Sequence, residues 1–323
     1  MPEALDVTVV VPVRDMDGLG ELVAALRGQS LGVDRFEVVI ADDGSRRPLD
    51  VEPDGEWLRV DRAAPANSYA ARNRGARLAR GRVLAFCDAD CRPAPDWLEH
   101  GLAAVDDGAG LVAGEVRPRR PRRVTAWALL DADDSFNQER VVAEGYALGG
   151  NVFVRRDVFD RLGGFDETRP SGGDFELARR AVSAGERLVY ARDAVVTHPT
   201  LDDARTFLRR AWFRERHHAL RDAVRCGPFL AQLPKLVPVV GPLVARKKLG
   251  WPLGLDRSRI RWVDTGTPRL RIAVALAIRY LVLPYVAAAA RTVAALASPT
   301  REDGTRRTAV AAGGAPPRAA REG

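Results

Sequence analysis

The chain begins with a run of β-branched residues, Val7-Thr-Val-Val-Val-Pro-Val13, whose length and closing proline predict a buried strand. Leu19, Leu22, Val23 and Leu26 then recur at the spacing of one helix face, predicting a helix over 17–26. Phe36-Glu-Val-Val-Ile-Ala41 reads as a second strand that runs straight into Asp42-Asp43-Gly44-Ser45. A helix over 69–79 and a third strand, Val83-Leu-Ala-Phe-Cys87, continue the alternation, and that strand delivers Asp88-Ala-Asp90. Strands alternating with helices predict an α/β fold built on a doubly wound, mostly parallel sheet. Such sheets bind ligands outside the carboxyl ends of their strands, which is where both acidic clusters fall.

After about residue 115 the pattern loosens. Arg117-Pro-Arg-Arg-Pro-Arg-Arg123 is expected to be a loop and 126–136 a helix. Gly149-Gly-Asn151 precedes a short strand at Val152-Phe-Val154, and Ser171-Gly-Gly-Asp-Phe-Glu-Leu177 opens a helix that runs to about 184. Phe229 to Ala245 is apolar but broken by Pro234, Pro238 and Pro242, and Leu270 to Ala297 is a second apolar stretch. The tail from 298 to 323 is rich in Ala, Gly, Pro and Arg without periodicity, and is expected to be disordered. The predicted division is a catalytic domain over 1–225, with a nucleotide-binding half over 1–115 and an acceptor half over 116–225. A membrane-associated helical region over 226–297 and the tail follow.

Charge sharpens this division. The net charge is +7, yet residues 1–202 carry −8 and residues 203–323 carry +15. The basic end is expected to meet something anionic, either lipid head groups or nucleic acid. The first residues lack the basic and apolar regions of a secretory signal. The three cysteines, Cys87, Cys91 and Cys226, give no disulfide framework and suit a reducing cytosol. Four histidines and no second cysteine pair argue against a zinc site, so buried thiols are expected.

Two carboxylates one residue apart, as in Asp88-Ala-Asp90, can hold a hard divalent cation that neutralises a diphosphate. A solvated turn would look the same in isolation. The order of the motifs is more telling. Val9-Val-Val-Pro-Val-Arg-Asp15, Ile40-Ala-Asp-Asp-Gly-Ser45, Ala71-Arg-Asn-Arg-Gly75 and Phe86-Cys-Asp-Ala-Asp90 resemble the ordered signatures of family 2 glycosyltransferases, and Gly163-Gly-Phe-Asp166 and Gly173-Asp-Phe-Glu-Leu177 extend the resemblance over about 6–200. It implies a glycosyltransferase-A fold, a nucleotide-diphosphate sugar donor, Mg²⁺ or Mn²⁺, a hydroxyl acceptor and inversion at the anomeric carbon.

By the same resemblance, Pro12 and Val13 lie beside the nucleotide, and Asp42 or Asp43 hydrogen-bonds base or ribose, the other serving the strand-to-turn junction. Arg72 matches an arginine near base and diphosphate. Asp90 matches the direct metal ligand, with Asp88 on the ribose or in the metal shell, and His198 resembles a histidine used on metal or diphosphate. Asp174 matches the catalytic base, which takes the acceptor's proton. A helix cap is its structural alternative, and Glu176 is a second candidate because Gly173 replaces the glutamate usual before the base. The Gln-x-x-Arg-Trp motif of processive members is absent, implying single additions.

Ile272 to Ala290 is just long enough to cross a bilayer, but Arg279 lies within it and Pro284 interrupts it. Interfacial helices on an anionic membrane surface suit both C-terminal apolar stretches better, placing the chain at the inner face of the cytoplasmic membrane. Helices that merely cover the catalytic domain are the plainer alternative. Two rival functions are weaker. A sugar-phosphate nucleotidyltransferase would want a glycine-rich basic loop after the first strand, where Pro12-Val-Arg-Asp-Met-Asp-Gly18 has one glycine. A nucleic-acid binder would interleave aromatics with its basic residues, whereas apolar runs with proline dominate here.

Overall fold

A computed structural model describes residues 5–221 and, except for 284, 288, 291 and 292, residues 269–293. The Phe229–Ala245 stretch and the predicted disordered tail lie outside the described residues. Eight strands form one sheet: β1 Val7–Val13, β2 Phe36–Asp42, β3 Leu58–Arg62, β4 Val83–Cys87, β5 Arg92–Pro93, β6 Leu111–Arg119, β7 Asn151–Arg155 and β8 Leu188–Pro199. Their order is β3-β2-β1-β4-β7-β6-β8-β5. The helices are α1 Leu19–Arg27, α2 Ser68–Leu78, α3 Trp97–Asp106, α4 Ala126–Asp134, α5 Gln138–Ala143, α6 Arg156–Leu162, α7 Gly173–Ser183, α8 Ala204–Arg221 and α9 Arg269–Ala277. A π-turn, Ile278–Val282, follows α9.

Strands β3, β2, β1 and β4 run parallel, and β6 runs parallel to β8, whereas β7 is antiparallel to both β4 and β6. Parallel strands covered on both faces are largely apolar; β2 and β4 are buried at every position, and the buried Glu37 of β2 is paired with Arg59 and Arg80. One apolar cluster under the sheet gathers Leu19, Leu22 and Leu26 of α1 with Trp97, Leu98 and Leu102 of α3. A second, on the opposite face, gathers Tyr69, Phe86, Phe159, Phe165 and Leu177. Helix α2 lies so close to β1 that a Cβ on Gly75 would fall 2.5 Å from Val10 Cγ1. Only glycine permits that approach.

The predicted loop at 117–123 is corrected in part, because β6 continues through Pro118 to Arg119. The ladder to β7 ends at Ala113, so beyond it β6 pairs only with β8. Proline is tolerated in a strand with one free side.

The basic helix α8 and α9 pack on α4 through Leu129, Leu130, Ala132, Phe207, Ala211 and Ala275. Arg279, which the sequence places inside a marginal apolar span, forms a buried ion pair with Asp133. No helix among the described residues is long and apolar enough to cross a membrane.

Candidate active site

A cleft of about 570 Å³ opens at the carboxyl ends of β1 and β4, lined by Pro12, Val13, Asp43, Arg72, Asp88 and Asp90 among others. The Asp42–Asp43 pair divides its work. Asp42 is buried, accepts from the Ser45 backbone N–H at 2.8 Å and lies 3.5 Å from Arg62, so it fixes the turn after β2 and does not line the cleft. Asp43 faces the cleft. Its N–H donates to the Val13 carbonyl at 2.8 Å, and its carboxylate accepts from Ala66 N–H at 2.8 Å.

Helix α2 presents Arg72 to the same cleft. Asn67 caps the helix by accepting from the N–H groups of Tyr69 and Ala70, both at 3.0 Å. The Arg72 guanidinium lies 5.8 Å from the Tyr69 ring centroid and 5.9 Å from that of Phe165, and donates to Asp88 Oδ1 at 2.5 Å. Its Nε is buried without a hydrogen-bond partner among the described residues. Neighbouring Asn73 donates to the Phe165 carbonyl at 2.8 Å and accepts from Phe165 N–H at 2.9 Å, tying α2 to the Gly163-Gly-Phe-Asp166 segment.

On the other flank of the cleft, His198 Nε2 stands 3.3 Å from Asp90 Oδ2. Its Nδ1 lies 2.7 Å from the Pro199 carbonyl. A carbonyl only accepts, so Nδ1 carries a proton and Nε2 is the ring nitrogen turned toward Asp90. Two electron-rich atoms that close need a proton or a metal cation to bridge them. Burial pushes the Asp90 carboxyl above the usual carboxylate range, with the His198 charge opposing and Asp88 adding to the shift. No three His, Cys, Asp or Glu side chains among the described residues converge on one point. The donor set therefore fits an ion such as Mg²⁺ that takes one or two protein ligands and completes its shell from phosphate and water. Cys87 and Cys91 are buried free thiols beneath this turn, and the Cys87 contact followed by burial pushes the Cys91 thiol well up.

Asp174, in the first turn of α7, lies just beyond Arg72: a Cβ on Gly149 would fall 3.4 Å from its Cβ and 3.6 Å from Arg72 Nη2. The cap of that helix is Gly172, at φ 74°. The Asp174 carboxylate turns away from its own helix, accepting from Gly149 N–H at 2.8 Å and from the Tyr69 hydroxyl at 3.4 Å. Burial, reinforced by the Asp174 charge, pushes the Tyr69 hydroxyl up to about 12, so it remains a donor throughout the neutral range. Glu176 is held by Arg180 through contacts of 2.7 and 2.8 Å, while Arg180 also bonds the Gly164 carbonyl at 2.7 Å. That network makes Glu176 part of the scaffold.

The structure thus gathers Pro12, Val13, Asp43, Arg72, Asp88 and Asp90 around one cleft, with His198 beside Asp90 and Asp174 beyond Arg72 on the α7 wall. It leaves Asp42 outside. Sequence reasoning missed Tyr69 and Asn73. Asn73 adjoins Arg72 inside the quoted motif and Tyr69 lies about one helical turn before it, so their positions around Arg72 on one helix were the available signal.

The sequence profile of "Glycosyl transferase family 2" matches residues 8–163. "Glycosyltransferase AglE" of Haloferax volcanii is 32% identical over 203 residues, 60% of this chain and 66% of that protein. "Pre-mycofactocin glycosyltransferase" of Mycobacterium tuberculosis is 34% identical over 229 residues, 64% of this chain and 45% of that protein. "Glucosyl-dolichyl phosphate glucuronosyltransferase" of Haloferax volcanii is 27% identical over 219 residues, 60% of this chain and 69% of that protein. The matches to the first two span about two thirds and about half of those relatives' length. In three dimensions the chain is similar to the mannosyltransferase PcManGT of Pyrobaculum calidifontis, solved with GDP-Man and Mn²⁺. That similarity has a TM-score of 0.55 and 22% identity, covering 90% of this chain and 86% of that one, and it shows the glycosyltransferase-A type of fold. The ordered motifs, the profile match and the curated relatives agree, and the chain belongs to glycosyl transferase family 2.

Proposed function

We propose that this protein transfers a sugar from a nucleotide-diphosphate donor to a hydroxyl acceptor, with inversion and with the help of a divalent metal. The observation that carries the reading is the cleft itself, where Asp43 after β2, Arg72 of α2 and the Asp88–Asp90 pair after β4 converge, with Asp174 just beyond Arg72. Asp43 accepts hydrogen bonds from the base or ribose, beside the Pro12–Val13 strand end. Arg72 offers its unpartnered Nε to the donor, and Asp88 holds the guanidinium in place. Asp90, with His198 next to it, would hold Mg²⁺ or Mn²⁺, which when bound neutralises the diphosphate as a Lewis acid. Asp174 takes the proton from the acceptor hydroxyl. The acceptor oxygen then bonds to the anomeric carbon as the bond from that carbon to the diphosphate oxygen breaks, and the nucleoside diphosphate leaves.

A place on an anionic membrane surface belongs to the same proposal, as does a role in assembling cell-envelope glycolipid or polysaccharide. The +15 balance after residue 202 supports it, as do Phe213, Leu270, Val274 and Leu281, exposed on α8, α9 and the π-turn. The relative named for a dolichyl phosphate substrate supports a lipid-linked acceptor.

Thermal stabilisation by UDP-, GDP- and dTDP-sugars, each with Mn²⁺, with Mg²⁺ and with chelator, tests the donor half. One donor should raise Tm with its own concentration in metal. A shift of equal size in chelator would refute metal dependence, and no shift with any nucleotide sugar would refute the donor class.

A further inference from the structure

We infer that Gln138 is a positioning residue for the catalytic carboxylate, acting through the backbone of the turn between α5 and β7; this rests on the assignment of Asp174 as base. Gln138 is fully buried. Its Oε1 accepts from Leu148 N–H at 3.0 Å, and its Nε2 donates to the carbonyls of Leu148 at 2.8 Å and Asn151 at 3.2 Å. All three bonds of one side-chain amide therefore grip a single turn, and the group is buried at no desolvation cost beyond those bonds.

That turn is Gly149-Gly150, threaded between the two chemical poles of the site. Gly149 N–H gives Asp174 its short hydrogen bond, the other being the 3.4 Å contact from Tyr69. A Cβ on Gly149 would lie 3.4 Å from Asp174 Cβ and 3.6 Å from Arg72 Nη2. A Cβ on Gly150 would lie 3.2 Å from Asp88 Oδ2 and 3.0 Å from the Phe136 ring. The turn bonds the base through Gly149 N–H and passes beside Asp88, so its placement sets the aim of Asp174.

The clamp is anchored from the metal side as well. Phe136, two residues before Gln138, holds φ 50°, a conformation that is strained for an aromatic residue, and its ring centroid lies 4.6 Å from that of His198. Gln138 N–H donates to the Phe136 carbonyl at 2.9 Å, so the strained residue and the clamp form one unit. Through it, the aim of Asp174 is referenced to the same wall that carries Asp90 and His198.

The test replaces Gln138 by methionine, which keeps the length of the side chain and removes its hydrogen bonds. Turnover is followed as nucleoside diphosphate released in Mn²⁺ from UDP-glucose or GDP-mannose, whichever stabilises the protein. Gln138→Met should lower kcat by about 10–10²-fold, because misplacement of about 1 Å costs that much. KM and Kd for the donor should stay within about twofold, since the clamp acts on the base. In the Asp174→Asn background, Gln138→Met should cost nothing further, as two residues in one chain of action are not additive. Unchanged kcat, donor affinity falling in step with kcat, or a full multiplicative loss in the double variant would each overturn the inference. Full activity in Asp174→Asn alone would instead overturn the base assignment. Should Gln138→Met not fold, Gln138→Glu keeps the shape and the acceptor for Leu148 N–H but loses the amide donor to the Leu148 and Asn151 carbonyls, and should show the same split between kcat and donor KM.

Discussion

The proposed nucleotide side and the proposed acceptor side of this molecule use the same sheet in different ways. On the nucleotide side, β1, β2 and β4 run parallel, are almost wholly buried, and release their chemical groups within a few residues of each strand end. On the acceptor side, antiparallel β7 interrupts the series, and the groups come from a helix start, a glycine turn and the end of the long strand β8. The first arrangement needs only a strand that ends in the right place. The second needs contacts between segments far apart in sequence, such as Tyr69 with Asp174 and Asp133 with Arg279. A parallel strand end is thus a local device, whereas the acceptor side is held together by tertiary contacts.

The largest effect should come from the α7 wall. Asp174→Asn keeps the size of the side chain and removes the proton acceptor, so kcat should fall by about 10²–10⁴-fold with donor affinity nearly unchanged. Steady-state kinetics with isothermal titration of the donor would check this. If Glu176→Gln abolished turnover while Asp174→Asn remained active, the base would lie two residues further along α7 than where the structure directs it.

On the nucleotide side the expected loss is in binding. Asp90→Ala should remove the difference between metal and chelator in donor stabilisation while the far-ultraviolet circular dichroism stays native. A donor-dependent Tm shift that still required Mn²⁺ would assign the metal to other groups.

The C-terminal packing offers a third comparison. Arg279→Met takes the guanidinium away from the buried Asp133 carboxylate and should destabilise by about 3–5 kcal/mol, whereas Asp133→Leu with Arg279→Met should be near neutral. Denaturant unfolding of the three proteins would measure this, and equal losses in single and double variants would show that the pair does not hold α9 onto α4.

The smallest effect separates the two carboxylates after β2. Asp42→Asn should cost about 1–3 kcal/mol of stability through the Ser45 and Arg62 contacts, with donor affinity retained. Asp43→Asn should do the reverse, weakening the donor by about 1–2 kcal/mol with little change in Tm. A swap of these outcomes would mean that Asp42 rotates into the cleft when donor binds.

By itself, the sequence determined the alternation of strands and helices, the β1 and β4 boundaries, and the clustering of acidic groups at strand ends. Those features follow from local periodicity, because burial on both faces demands uninterrupted apolar runs and the polar residues are confined to the ends. The motif Ala71-Arg-Asn-Arg-Gly75 was legible as a unit, although only packing shows that Arg72 enters the cleft, Asn73 braces Phe165 and Gly75 admits β1. Tertiary structure alone decided which of Asp42 and Asp43 faces the ligand, since adjacent residues look alike in sequence and diverge only when one is caught by Ser45 and Arg62. It also turned Arg279 from an obstacle in an apolar stretch into half of a buried ion pair, because its partner Asp133 lies 146 residues away. Gln138 shows the same limit most plainly. A buried amide has no periodicity of its own, and its function exists only through the backbone that the fold brings to it.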